Sequence, residues 1–260
     1  MGAVFGCAVL LRQLYLLFFP FLCLWVWWAS RGSRLRAIGA LALSSLVIIM
    51  MIIPFTFYNS SRFHRFVLLN TNAGYALYWA NHPIYGTRFI PILPGDLYVR
   101  ILPIELKELR LDEAALDQEL ITRGVKFILN DPGRYALLSL SRIPVLFQFW
   151  PTSESGLISN VVRLTSFAIL LPFMIYGLVL SVIELRRAKA TFLVSLASPI
   201  VLLYSFLVFY ISLHLLIWAL IRYRLPVDAV LIVFAALGFT ALANRLFGKR
   251  WSWARPASFA

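Results

Sequence analysis

Cationic side chains stand where charge is costly. Arg12 interrupts an apolar run, His214 lies inside another, and Arg222-Tyr223-Arg224-Leu225-Pro226 joins two more. An ionisable residue within a membrane span is a functional hypothesis by default. His214 reads either as such a group or as a neutral imidazole hydrogen-bonded to a neighbouring helix. Arg12 must pair or face a cavity. Arg222 and Arg224 have two readings: they snorkel to lipid headgroups, or they clamp a phosphate with the guanidinium fork.

Other chemistries find little support. No nucleophile elbow, phosphate loop, dinucleotide fingerprint or metal motif is present. Most acidic residues fall between Glu105 and Glu119 and read as a solvated helix face. Cys7 and Cys23 lie in apolar runs and read as packed thiols. No Cys/His cluster has zinc spacing, so neither metal nor cofactor is expected.

The elements that position these groups belong to a membrane. The 260-residue chain is 61% hydrophobic and only 13% charged, with a net charge of +13. Soluble domains are about a quarter charged. The basic excess does not point to nucleic acid. It clusters beside apolar runs at Arg31, Arg34 and Arg36, at Arg186, Arg187 and Lys189, and at Arg245, Lys249, Arg250 and Arg255. That is the pattern of cytoplasmic flanks.

The expected fold is all-α, with about five transmembrane helices and an outward segment carrying interfacial, amphipathic helices. Residues 1–57 hold two spans. The first is interrupted by Arg12-Gln13 and Pro20, giving one broken span or a half-helix followed by a span. It shows no cleavable-leader pattern. Residues 164–247 hold three spans, the middle one running from Phe192 to Leu220 and long enough to be tilted or kinked at Pro199. Residues 248–260 form a basic cytoplasmic tail. Orientation by the basic clusters puts 58–163 and 222–226 outside.

The outward segment carries 11 basic and 9 acidic residues. Apolar positions at helical spacing predict a helix over 112–130, and Asp131-Pro132 opens another over 132–150. The second is expected in the membrane interface, with Trp150 at headgroup level. Phe66–Leu69 and Arg88–Leu93 read as short strands or extended segments.

Four stretches carry a resemblance. Gly2-x3-Gly6-x5-Arg12 is similar to a Gly-x3-Gly-x5-Arg-Pro element, with Gln13 in place of the Pro. Pro54-Phe-Thr-Phe-Tyr-Asn59 through Arg65-Phe66-Val67 resembles a Pro-Trp-Thr-x-Arg-Asn stretch leading to Arg-Phe-Val. Asn70-Thr-Asn-Ala-Gly-Tyr75 to Asn81-His82-Pro83 resembles Ser-Thr-Asn-Gly-Gly-x-Asn-Leu-x-x-Gly-Asn-Asn-Pro, departing at Ala73, Ala76, Ala80 and His82. Arg222-Tyr-Arg-Leu-Pro-Val227 matches an Arg-Tyr-Arg-Leu-Pro element. In this order they resemble the C-terminal part of membrane glycosyltransferases of the GT-C fold that use polyprenyl-phosphate-linked sugars, such as protein O-mannosyltransferases and the aminoarabinose transferase of lipid A.

The resemblance implies sugar transfer from a polyprenyl-phosphate donor to an extracytoplasmic acceptor, in a bacterial inner membrane. It implies donor-phosphate or carrier contacts at Arg222 and Arg224. It places Asn72, Tyr75 and Asn81 on the outward surface beside the cavity. The family's catalytic acid sits on an earlier outward loop, and the acids here do not lie in that motif. Activity is therefore expected to need a complementary N-terminal part. The alternatives are a non-enzymatic scaffold or transporter-like protein, or one that binds a lipid carrier without catalysis. Membrane lipid is the expected partner in every reading.

Overall fold

A computed structural model describes residues 1–109, 111–152, 155–187 and 195–248. The basic positions Lys189, Lys249, Arg250 and Arg255, and nearly all of the 248–260 tail, lie outside the described residues. The chain is an all-α integral membrane protein. Four helices are long and apolar enough to cross a bilayer: Arg34–Phe63, Leu157–Arg187, Pro199–Leu216 and Ile221–Phe247. Two compact units are present. The first comprises Met1–Phe147 and Leu196–Tyr223, the second Gln148–Ser195 and Arg224–Ala260.

In the first unit, α1 (Gly2–Leu11) and α2 (Leu14–Ala29) are separated at Arg12-Gln13, and α2 continues through Pro20. At 10 and 16 residues, each is shorter than the ~20 residues a span needs. They form a hairpin: Phe5 of α1 meets Phe19 of α2. Gly2 and Gly6 of α1 lie against Ser44 and Met51 of α3 (Arg34–Phe63), so the two helices run in the same direction. Small residues on that stripe let the backbones approach. Cys7 lies off the buried Gly2–Gly6–Val9 stripe and is exposed, and Cys23 is half-buried, so neither is a fully packed thiol.

After α3 the chain turns at His64, in the left-handed region at φ 51°. Among the described residues there is no strand. Phe66–Leu69 is instead satisfied by the last turns of α3. Thr56 Oγ1 and Asn59 Nδ2 donate to the carbonyls of Leu68 and Leu69, and Ser60 Oγ accepts from Val67 N–H. Arg88–Leu93 is likewise irregular.

Next come α4 (Ala73–Asn81), a 3-10 turn (Pro83–Tyr85), α5 (Leu97–Arg100), α6 (Ile104–Glu108), α7 (Glu113–Asn130), α8 (Pro132–Leu140) and α9 (Ile143–Leu146). Asp112 caps α7 by accepting from Ala115 N–H, and Asp131 caps α8 by accepting from Arg134 N–H. The helix expected over 132–150 stops at Leu140, because Pro144 has no N–H to return to Leu140.

The long helix α12 starts at Pro199, with Ser198 Oγ accepting from Ile200 N–H. Pro199 is thus a first-turn residue, not a kink, since its missing N–H has no acceptor to lose there. α12 ends at Leu216 rather than Leu220, and the chain passes through a 3-10 turn at Ile221–Arg224. α2 lies antiparallel to α12. Tyr15 stacks on Tyr210, Phe18 meets Phe206, and Trp25 Nε1 donates to the Ser198 carbonyl.

The second unit contains α10 (Leu157–Arg163), a π turn (Leu164–Ala168), α11 (Leu171–Arg187) and α13 (Leu225–Phe247). α11 and α13 cross where Gly177 faces Phe234 and Gly238 faces Phe173. A Cβ on either glycine would overlap a backbone carbonyl.

Candidate functional site

The stretch Asn70–Pro83 becomes α4 through contacts distant in sequence. Asp117 of α7 lies across its N-terminus. Its Oδ1 accepts from Gly74 N–H at 2.7 Å, and the Tyr75 N–H also reaches the carboxylate. Thr71 Oγ1 donates to Glu113 Oε1. Two of the acids expected on a solvated face, Glu113 and Asp117, thus lie at an N-terminus whose donors lack intrahelical partners. Burial pushes the Asp117 carboxyl above its usual range, against the downward pull of those two N–H bonds.

α4 and α7 touch at glycines. A Cβ on Gly74 would overlap the Asp117 backbone carbonyl, and one on Gly124 would stand 3.0 Å from Tyr78 N. At the other end, Arg134 Nη2 donates to the Asn81 carbonyl at 2.8 Å. Arg142 Nη2 donates to the Ala80 carbonyl at 2.6 Å and to Asn81 Oδ1 at 2.8 Å. Cations at a helix C-terminus are favourable. Arg142 is 0% exposed, and its Nη1 also donates to the Leu215 carbonyl, so it ties the end of α4 to the end of α12. Burial lowers its pKa to about 10, which leaves it charged at neutral pH.

α4 thereby forms a wall between two cavities of about 650 and 480 Å³. Both are lined by Asn72 just before α4, by Ala76 of α4, and by Trp218 and Tyr223 from the joint after α12. Arg12 and His214 line the larger, and Tyr75 and Arg222 the smaller.

The larger cavity has an ordered polar rim. Arg12 Nη1 donates to the Tyr210 hydroxyl, and its Cζ stands 4.5 Å from the Tyr223 ring centroid. Arg222 Cζ is 5.4 Å from the same centroid. His214 is 4% exposed and sits between Tyr210 and Tyr223, at 4.7 and 4.8 Å between ring centroids. Its Nδ1 is 3.0 Å from the Trp218 carbonyl, so the partner lies in the turn after its own helix rather than on a neighbouring one. Gln13 Nε2 donates to Asn70 Oδ1 at 2.6 Å, bringing the α1–α2 turn to the start of the α4 stretch. Among the described residues, neither Arg12 nor Arg222 has a carboxylate partner, and neither cavity is lined by Asp or Glu.

The expected site residues separate. Arg222 is exposed and lines a cavity. Arg224 belongs to the second unit and is 5% exposed. Its Nε donates to Asp228 Oδ2 at 3.0 Å, its Nη1 donates to the Gln148 carbonyl at 3.2 Å, and its Cζ lies 3.7 Å from the Phe167 centroid. Asn72 and Tyr75 line cavities. Asn81, expected on the surface, is 0% exposed: its amide donates to Leu77 and accepts from Arg142. Its place in the last turn of α4, between two arginines, leaves it no route outward. Tyr210, Trp218 and Arg142 are not among the residues that local sequence marks for a site. Tyr210 carried a usable signal, lying four residues before His214 on one helix face.

No protein-family model, no curated protein and no solved structure matches this chain. Among the described residues, no group of three or more His, Cys, Asp or Glu side chains is placed to hold a metal ion.

Proposed function

We propose that the protein binds the phosphate of a membrane-embedded polyprenyl carrier, as the carrier-binding part of a glycosyltransferase that uses polyprenyl-phosphate-linked sugars. One observation carries this reading. Two guanidiniums without a carboxylate partner among the described residues, Arg12 and Arg222, stand on the same Tyr223 ring, in cavities whose remaining lining is mostly apolar. Such charge seeks an anion, and the guanidinium fork matches phosphate oxygens. The apolar lining suits the isoprenoid chain. Arg222 lies in the Arg-Tyr-Arg-Leu-Pro element and Arg12 in the Gly-x3-Gly-x5-Arg element, two of the four stretches that carry the resemblance.

In this reading 58–163 and 222–226 face outward from a bacterial inner membrane. The guanidiniums stabilise charge on a departing phosphate. A carboxylate would have to activate the acceptor hydroxyl, and among the described residues none lines either cavity. That absence favours a second reading, in which the protein holds the carrier without transferring the sugar.

The test is binding of a short-chain polyprenyl phosphate to the purified protein in nanodiscs. Arg12→Gln and Arg222→Gln should each weaken binding by about tenfold, the order expected for one charge-assisted hydrogen bond. Arg224→Gln should lower stability instead. Unchanged affinity in both folded cavity variants sinks the proposal. Sugar release from a polyprenyl-phosphate sugar separates the first reading from the second.

A further inference from the structure

The turn between α2 and α3 presents three exposed arginines, Arg31, Arg34 and Arg36. The chain has no Asp or Glu before Asp96. Among the described residues, neither Arg34 nor Arg36 has a carboxylate partner. The turn is ordered. Ser30 N–H donates to the Val26 carbonyl, and Ser33 N–H donates to the Ser30 carbonyl. Trp25 Nε1 ties the end of α2 to the Ser198 carbonyl at the start of α12.

This geometry sets two guanidiniums on two neighbouring indoles. Arg31 Cζ stands 4.1 Å from the Trp28 ring centroid. Arg34 reaches back across the turn, and its Cζ stands 5.1 Å from the Trp27 centroid. The two indole centroids are 6.4 Å apart. Stacking on an indole face fixes a guanidinium while its N–H donors stay at its edge, in a planar fork that matches phosphate. Two such cations on adjacent rings repel each other, and an anion held by both relieves the repulsion. The same turn is bordered by exposed apolar side chains: Leu24 and Trp27 of α2, and Leu35 and Ile38 of α3. Tryptophans of this kind mark headgroup level.

We propose that this turn is a binding site for one anionic phospholipid. Its headgroup phosphate is held by Arg31 and Arg34, and its acyl chains lie along Leu24, Leu35 and Ile38. Arg36 adds attraction without a stacked fork. The occupant is a lipid rather than free phosphate, because the arginines adjoin an apolar surface suited to acyl chains. A zwitterionic headgroup would bring its own cation to three arginines and is disfavoured. None of these residues lines either cavity, so the site stands independently of the carrier reading.

The test is native mass spectrometry of the full chain with phosphatidylglycerol or phosphatidylcholine of the same acyl chains. Phosphatidylglycerol should bind several-fold more tightly. Arg34→Gln should weaken it about fivefold, the worth of one arginine near a headgroup, and leave phosphatidylcholine unchanged. Arg36→Gln should cost less. The decisive variant is Arg31→Lys with Arg34→Lys, which keeps both charges and removes the planar forks. It should lose nearly as much affinity as the corresponding double Gln variant, and Trp27→Leu should also weaken binding.

Native affinity in the folded double Lys variant reduces the turn to a diffuse basic flank and overturns the site. Equal binding of the two lipids, or displacement of phosphatidylglycerol by inorganic phosphate at equal concentration, overturns it as well. Should the double variant not fold, Arg34→Lys alone decides in the same way. Binding of a short-chain polyprenyl phosphate should be unchanged by Arg34→Gln. Loss of both lipids in that folded variant would merge the two sites and end the proposal, whereas an inert Arg12→Gln counts against the carrier reading only.

Discussion

α4 and the Trp218–Tyr223 segment line the same two cavities, yet they are held in opposite ways. The charges at the two ends of α4 have protein partners. Asp117 serves its N-terminus, Arg134 and Arg142 serve its C-terminus, and glycine contact seats it on α7. The opposite wall is held largely by aromatic rings, and there Arg12 and Arg222 have no carboxylate partner among the described residues. The difference separates scaffold from site. A satisfied polar network fixes one backbone arrangement, whereas unsatisfied groups at a cavity await a ligand.

The largest effect should come from the scaffold. Gly74→Leu forces a side chain into the Asp117 backbone, which cannot rotate aside as a side chain would. The cost should be ~3 kcal/mol or more, seen as loss of cooperative thermal unfolding in detergent. A well-folded Gly74→Leu protein would show that α4 is not seated as described.

Arg142→Met comes next. It strands the Ala80 and Leu215 carbonyls in a buried place, at about 3 kcal/mol in total. Chemical denaturation should show a lowered midpoint with an unchanged slope. Because Arg142 joins α4 to α12, ligand affinity should fall as well.

A smaller effect is pH-dependent. His82 Nδ1 accepts from Ile84 N–H at 3.2 Å, which needs a neutral ring. Burial first, and then the charge of Arg134, hold its pKa below the ordinary 6.5. The folded state therefore resists protonation. This contribution is complete above pH 6.5 and is lost as pH falls from there toward the lowered folded value. The thermal midpoint should drop across that window. In His82→Asn the drop should be shallower.

The smallest effect on stability, within ~0.5 kcal/mol, should be that of Arg222→Gln, since an exposed arginine without an ion pair adds little to the fold. If it proves as damaging as Arg142→Met, the contrast between scaffold and site collapses.

Much of the fold was legible in the chain. Asp112 and Asp131 mark helix starts because capping is settled within four residues, whereas the start at Ser198-Pro199 was hidden inside a longer apolar run. Apolar runs of span length mark the membrane helices because hydrocarbon thickness sets that length. The break at Arg12-Gln13 was visible as polarity inside an apolar run. The end of α12 at Leu216 was not, since apolar composition continues through Leu220.

The sequence by itself determined the all-α membrane class and the positions at which charge demands an account. Tertiary structure alone decided what each charge does. Arg222 and Arg224 are near-identical in local sequence, but Arg224 is consumed by Asp228, Gln148 and Phe167 while Arg222 lines a cavity. Arg12 and Tyr223 meet across more than two hundred residues of chain. The partner of a guanidinium is chosen by whichever backbone carbonyl, carboxylate or ring the packing brings within about 4–6 Å, and local spacing carries no record of that choice.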